Sequence, residues 1–272
     1  MKRKFRIYLP FIIAGMHEAT VYRVDWLFRI LGNSIGCLVS YFLWNAVFIS
    51  SGNDSLNGFT LPQMTVYIFL MFLTTTVIYS EGIYTIGEEI RTGSIAMRII
   101  KPVSYNSTFL FHEIGKKMMT TYLIVPLIII AVELFRTIIS GYIQFKISCF
   151  LLYIISSLLA YLINFFFNIC FAFIAFFTKN IWGVNMIKNT VIGFLSGSTI
   201  PFAFLPDLLG EILSFLPFAS LNYTPVMIYL GVYESKILLF YLCLQLFWLF
   251  LFFIISKLLW RVSIKHLCVQ GG

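Results

Sequence analysis

Six apolar runs, each long enough to cross a lipid bilayer as a helix, leave this chain few ways to fold. A spanning helix takes about 20 predominantly apolar residues. The runs fall at about 26–50, 64–86, 118–135, 147–177, 185–204 and 237–260. The run at 147–177 is too short for two crossings and a turn, so it reads as one long or tilted helix. The run at 118–135 carries Pro126, where a kink is expected. Hydrophobic residues make up 60% of the chain and charged residues only 11%. Soluble domains carry about 25% charged residues, so this chain could not clothe a water-facing surface in polar groups. The expected fold class is all-α: a polytopic membrane protein, with residues 1–25 outside the bilayer core and 26–272 forming a six-span transmembrane domain.

Lysine and arginine placement sets the orientation. With the N-terminus in the cytoplasm, 16 of the 19 basic residues fall on the cytoplasmic side, leaving Arg136, Lys146 and Lys236 outside. That assignment puts Lys179 and Lys188 in the loop between the fourth and fifth spans, and both termini in the cytoplasm. The net charge of +8 is then topological, and it suits anionic lipid at the inner leaflet. A nucleic-acid partner does not fit, because no basic block is long or interleaved with stacking aromatics. The five cysteines include no C-x-x-C pair, so neither a zinc site nor a disulfide framework is indicated.

Three segments are not spans. Phe5 to Asp25 is apolar but interrupted by charge and by Pro10, which suits an amphipathic helix in the cytoplasmic interface. Asp25 and Arg29 stand at i, i+4 and could pair. Gly87 to Lys117 divides at Arg91-Thr92-Gly93, a turn. Ser94 is placed to cap a short helix over Ile95–Lys101, with Ile95, Ala96, Ile99 and Ile100 on one apolar face, Arg98 and Lys101 basic, and Pro102 barring continuation. A second helix is expected from near Ser107 into the third span, with Glu113 and Lys117 at helical spacing. Leu205 to Glu234 is apolar but punctuated by Pro206, Pro217, Pro225 and Gly231. A helix from Asp207 to near Leu216, and another capped at Thr224 and stopped by Gly231, make a re-entrant or externally capping hairpin.

Catalytic signals are sparse. No Walker A pattern and no H-E-x-x-H occur. Ser196-Gly197-Ser198 would need a base within reach to act as a nucleophile, and His17, His112 and His266 all fall in cytoplasmic segments. Small residues at a helix contact explain the triplet better. The polar groups inside spans are Asn164 and Asn168, one turn apart, Gln245, and Glu81 and Glu133 near span ends. The two asparagines suit a helix contact or a substrate path. Asn53 and Asn222 begin N-x-S/T sequons and fall outside in this topology.

The loop from Glu88 to Pro102 resembles that of the type-2 class of ABC exporter permeases, most closely the subgroup of daunorubicin- and viologen-exporter-like permeases. That loop reads acid-Ile-Arg-x-Gly-x-Leu followed by a basic-Pro pair, matched by Glu89-Ile90-Arg91-Thr92-Gly93-Ser94-Ile95 and Lys101-Pro102. Ile95 replaces the leucine, and Ala96 stands where an acid is usual. Ser196-Gly197, Pro201, Leu205-Pro206 and the hairpin before the last span are similar too. The resemblance implies a cytoplasmic connecting helix over Phe5–Asp25. It implies a coupling helix at Ile95–Lys101 docked into a separate nucleotide-binding ATPase subunit, with Glu88, Glu89, Arg91, Gly93, Arg98 and Pro102 around that contact. It implies an external gate hairpin at 205–234, and a second permease chain, identical or related. ATP and Mg would be bound by the ATPase, and no cofactor by this chain. The localisation implied is the bacterial plasma membrane. Two other classes remain: a membrane-embedded enzyme, and a secondary transporter or assembly factor that uses no ATP.

Overall fold

The computed structural model describes residues 2–100, 102–141, 145–176 and 181–264. Helix α1 (Lys2–Val21) carries Pro10 within it and runs into α2 (Arg23–Ser51), which Gly52 stops in the left-handed conformation at φ +65°. A two-stranded hairpin follows, β1 (Ser55–Leu56) against β2 (Phe59–Thr60). Asn57 and Gly58 turn it, with φ of 45° and 81°; an Asn-Gly pair adopts such angles readily. Thr60 then opens α3 (Leu61–Ile78) with a reciprocal capping box to Gln63 and Pro62 in the first turn.

Where sequence alone suggests one span over 64–86, the helix breaks at residues 79–81 and restarts as α4 (Gly82–Arg91). The end of α3 lies inside the protein, and its freed carbonyls must find donors there. Lys117 Nζ donates to Val77 O at 2.7 Å and Asn164 Nδ2 to Ile78 O at 2.7 Å. A cation at a helix C-terminus also suits the helix dipole. Helix α5 (Ile95–Ile99) is a single turn, and α6 (Tyr105–Ser140) follows. Ser104 caps α6 by accepting from Ser107 N at 3.2 Å, and the helix continues through Pro126 to Gly141. Helix α7 (Ile147–Ala172) is the single long helix expected, prolonged by a 3-10 turn at Phe173–Phe176.

Helix α8 (Ile181–Leu195) has 15 residues. At 1.5 Å per residue it is about 22 Å long, short of the ~30 Å hydrocarbon core. Its place in the expected run is completed by an irregular turn and a 3-10 turn at Phe202–Phe204. Three short helices, α9 (Asp207–Phe215), α10 (Pro217–Leu221) and α11 (Tyr223–Leu230), lead through Gly231 at φ +68° to α12 (Ser235–Ser263). Helix α10 is additional to the two helices expected there. Helix α11 starts after Asn222, one turn before Pro225, and is not capped at Thr224.

Helix α3 forms the centre. Met64, Leu70 and Leu73 are fully buried, and the core they build takes in Val66 and Tyr67, Ile128 and Val132 from α6, Tyr153 from α7, and Val226 and Tyr229 from α11. Around it, α2, α6 and α12 leave large apolar faces uncovered by the chain itself, including Phe28, Phe42, Leu127 and Phe250. Patches of that extent are not viable in water. Among the described residues, five helical stretches are long and apolar enough to cross a bilayer: Arg23–Ser51, Leu61–Arg91, Tyr105–Ile139, Ile147–Ala172 and Ser235–Ser263. The chain is an all-α, multi-pass membrane protein.

Helix α1 lies along α6 with the two backbones almost touching. A Cβ built on Gly15 would collide with the carbonyl of His112, and one built on Gly115 with the carbonyl of Ile12. Glycine on both sides is what permits this approach, as small residues do at membrane helix contacts.

Candidate functional site

The motif residues of the 88–102 loop form a compact lever beneath the bundle. Gly93, at φ +73°, turns the chain between α4 and α5. Its left-handed angle is one that residues with a Cβ adopt at a cost. Ser94 does not cap α5 through its side chain; its hydroxyl lies 2.9 Å from that of Thr92 and donates to Glu89 O instead. Glu89 is the hub. Its carboxylate pairs with Arg98 at 2.6 Å and accepts from Tyr105 OH at 2.8 Å, tying α4 to α5 and to the start of α6. Tyr105 in turn stacks on Trp260 of α12, with ring centroids 5.0 Å apart. Glu88 and Arg91 form a bidentate pair on the exposed face, at 2.6 and 2.9 Å.

Of the four apolar residues expected to share one face of the short helix, Ile95 and Ile99 pack against the core, Ala96 is half-buried and Ile100 turns outward. Ile95 is 1% exposed and packs with Ile83, Ile86, Phe109 and Phe173 into the permanent core, whereas Ile100 is 79% exposed. Met97, which the sequence reading passed over, is 70% exposed. A five-residue helix spans little more than one turn, so the buried and open faces are set by the neighbours and not by a repeating period. Pro102 is exposed, and Lys101, Lys179 and Lys265 lie outside the described residues.

Above the lever, charges converge on the 79–81 break. Glu81 pairs with Arg29 of α2 and with Lys116 of α6, the latter at 2.8 Å. Lys116 also reaches Glu18 of α1 at 2.8 Å, and His112 approaches Glu18 at 3.0 Å. Arg29, expected to pair with Asp25 one turn earlier, thus turns to Glu81, and its guanidinium sits 4.7 Å above the Tyr79 ring. Glu113 accepts from Ser80 Oγ at 3.0 Å. A cavity of about 340 Å³ opens among these groups. Four sequence-distant elements (α1, α2, α6 and the break) are joined by this network.

Within the bundle, Asn168 Nδ2 donates to Asn164 O at 2.8 Å, and Asn168 Oδ1 accepts from Lys188 Nζ. The topology drawn from sequence had placed Lys188 in a cytoplasmic loop. It sits instead in α8, buried at 5% exposure. The misplacement has a simple cause: a charge-counting rule assigns lysines to loops unless a partner justifies burial. Gln245 joins α12 to α7 and α10, accepting from Ser156 Oγ at 2.9 Å and donating to Ser220 O at 2.8 Å. Glu133 pairs with Arg136 at 2.9 Å and accepts from Tyr229 OH at 2.7 Å.

The Ser196–Pro201 turn is clamped from two sides. Tyr67 OH of α3 donates to Gly197 O at 2.7 Å, and Asn222 Nδ2 to Ser196 Oγ at 3.1 Å. Asn222 is therefore a buried joint at 3% exposure and not an external sequon. Pro201, Pro217 and Pro225 are buried, while Pro206 and Gly231 are exposed. Gly197 has φ +74°, and a Cβ there would lie 3.0 Å from the Tyr223 ring. A valine at Gly197 is expected to cost about 2 kcal/mol or more, from the left-handed backbone and the crowded site. A fall in the unfolding temperature of the detergent-purified chain, with alanine at the same position falling less than valine, checks this.

A search of curated proteins finds no match to the chain. Residues 35–271 match the family model described as ABC-2 family transporter protein. With that match covering most of the sequence, the 88–102 loop included, the chain belongs to the ABC-2 transporter family as a multi-pass membrane protein.

Proposed function

We infer that the chain is the permease subunit of an ATP-binding-cassette exporter, moving an amphipathic or lipid-like substrate, drug or peptide with ATP that a separate ATPase subunit binds with Mg and hydrolyses. The carrying observation is the lever. Met97 and Ile100 are open to a partner, while Ile95 and the Glu89–Arg98–Tyr105 junction fasten the same helix to the bundle. A surface loop that merely connects two spans needs neither an internal anchor nor exposed apolar tips. In this reading α5 is the coupling helix and α1 the cytoplasmic connecting helix. Helix α8 with the 196–204 turn completes a sixth crossing, and α9–α11 form the external gate hairpin. The burial of α11 against α3 and α7 favours the re-entrant arrangement. Two such chains face one another in the bacterial plasma membrane, with both termini in the cytoplasm.

The test is coexpression with P-loop ATPases from the same genome. One of them is expected to co-purify stably and to show ATP hydrolysis coupled to the permease. The double variant Met97→Glu, Ile100→Glu is expected to lose that partner while keeping its thermal stability, since both side chains are exposed. Full activity of the isolated chain without a nucleotide-hydrolysing partner, or labelling of Arg98 from the outer face, would overturn the reading.

A further inference from the structure

Beside the 79–81 break lies a second, partly open cavity of about 90 Å³ with an unusual lining. It holds five asparagines, from α7, α8 and the turn before α11, together with Lys188 and no aspartate or glutamate. Lys188 sits seven residues into α8 from Ile181, roughly 10 Å along the helix axis. Its ammonium has three donors, and Asn168 Oδ1 accepts one of them. None of the ion pairs formed among the described residues involves Lys188. Glu113 does not line the cavity; its carboxylate accepts from Ser80 Oγ in the wall at 3.0 Å. Asn185, on the same face of α8, donates to Tyr84 OH at 2.6 Å and so braces the cavity wall toward α4.

A buried cation held by an amide dipole alone is costly, because the desolvated charge lacks a counter-charge. Proteins that retain an intramembrane ionisable group generally use it. The chamber presents amide groups and an ammonium, and it has room for a few waters or one small oxyanion. We propose that Lys188 with Asn168 forms an anion-binding subsite, and that the cargo of this permease presents a carboxylate or phosphate headgroup to it. The proposal names the substrate class and so rests on the permease reading. Binding the headgroup would supply the missing counter-charge. The apolar remainder of the cargo would stay among the lipid-facing helices.

The full-length chain in neutral phosphatidylcholine nanodiscs can be titrated with dodecyl phosphate, with dodecyltrimethylammonium as the opposite-charge control and inorganic phosphate as the headgroup alone. Dodecyl phosphate is expected to bind tightest and the cation not to bind. Lys188→Met is expected to weaken dodecyl phosphate by roughly tenfold or more. Because that variant could fail to fold, Asn168→Asp provides a near-isosteric second test. It places a carboxylate beside the ammonium and should weaken the amphiphile similarly while retaining the α7–α8 contact. Unchanged affinity in both variants or equal binding of the cation would each overturn the proposal, and inorganic phosphate binding as tightly as the amphiphile would overturn its assignment of the site to an amphiphilic cargo. Association with the ATPase, read on the same preparations, separates the two ideas. A functional ATPase complex whose permease ignores anions at Lys188 removes the subsite alone. Anion binding through Lys188 without any ATPase association leaves an anion site and removes the permease.

Discussion

Replacing Gly115 by valine is expected to detach α1 from α6, with a loss of about 3 kcal/mol or more of the stability that couples the two helices. The reason lies in the backbone: even a Cβ at this position would run into the carbonyl of Ile12, which no rotamer change can move aside. The helices must separate, and separation also undoes the pairs from Glu18 to His112 and Lys116. Gly15→Val should act alike from the opposite side, since it meets the carbonyl of His112. The two changes together should cost less than their sum, because either one already opens the contact. Limited proteolysis checks this directly: cleavage within residues 2–21 should become fast in the variants while the remaining spans stay protected. Unchanged protection of α1 in both variants would show that the helices do not meet as described.

Neutralising Glu89 carries the second large effect, this time on function. Glu89→Gln keeps the shape and the bond to Tyr105 OH within reach but removes the charge that holds Arg98. A hydrogen bond between charged groups contributes about 1.5–3 kcal/mol. Arg98 is 41% exposed in its side chain, so solvent screening pulls the figure toward the lower end. If the chain is the permease subunit proposed above, roughly a tenfold fall in coupling between ATP hydrolysis and transport is expected. The loss of stability should stay at about 1.5 kcal/mol or below, because Ile95 still anchors α5 in the core. Basal hydrolysis by the ATPase should also be retained. The diagnostic pattern is thus uncoupled hydrolysis in a folded complex. A variant that loses ATPase binding altogether would instead make Glu89 part of the contact itself.

What could be read from residues alone follows from which forces act locally. The long helices were legible because burial in lipid demands length and apolarity together, and both are properties of a contiguous run. The stops at Gly52, Gly141 and Gly231 follow from the left-handed conformation that glycine accepts. The break at 79–81 was not legible. Ser80, Glu81 and Gly82 interrupt the run only weakly, and what stabilises the interruption comes from Lys117 and Asn164, on other helices. The same holds for Lys188, whose burial depends on Asn168, 20 residues away in sequence. The Asn57-Gly58 hairpin, by contrast, carried an adequate local signal that a search for spans passed over. In the lever, motif spacing located the right segment. The division of Ile95 from Met97 and Ile100 needed the surrounding helices.

The interruption between α3 and α4 makes the chain a jointed rod. Ladder bonds do not run unbroken through residues 79–81, so the direction of α4 is set by its own packing, Ile83 and Ile86 against Phe165 and Ile169 of α7, and not by the helix before it. The end of α3 is held instead by side chains of other helices, Lys117 of α6 at Val77 O and Asn164 of α7 at Ile78 O. The core around Met64, Leu70 and Leu73 and the one around Ile83, Ile86 and Ile95 are thus two packed bodies, and the hinge between them is three residues long.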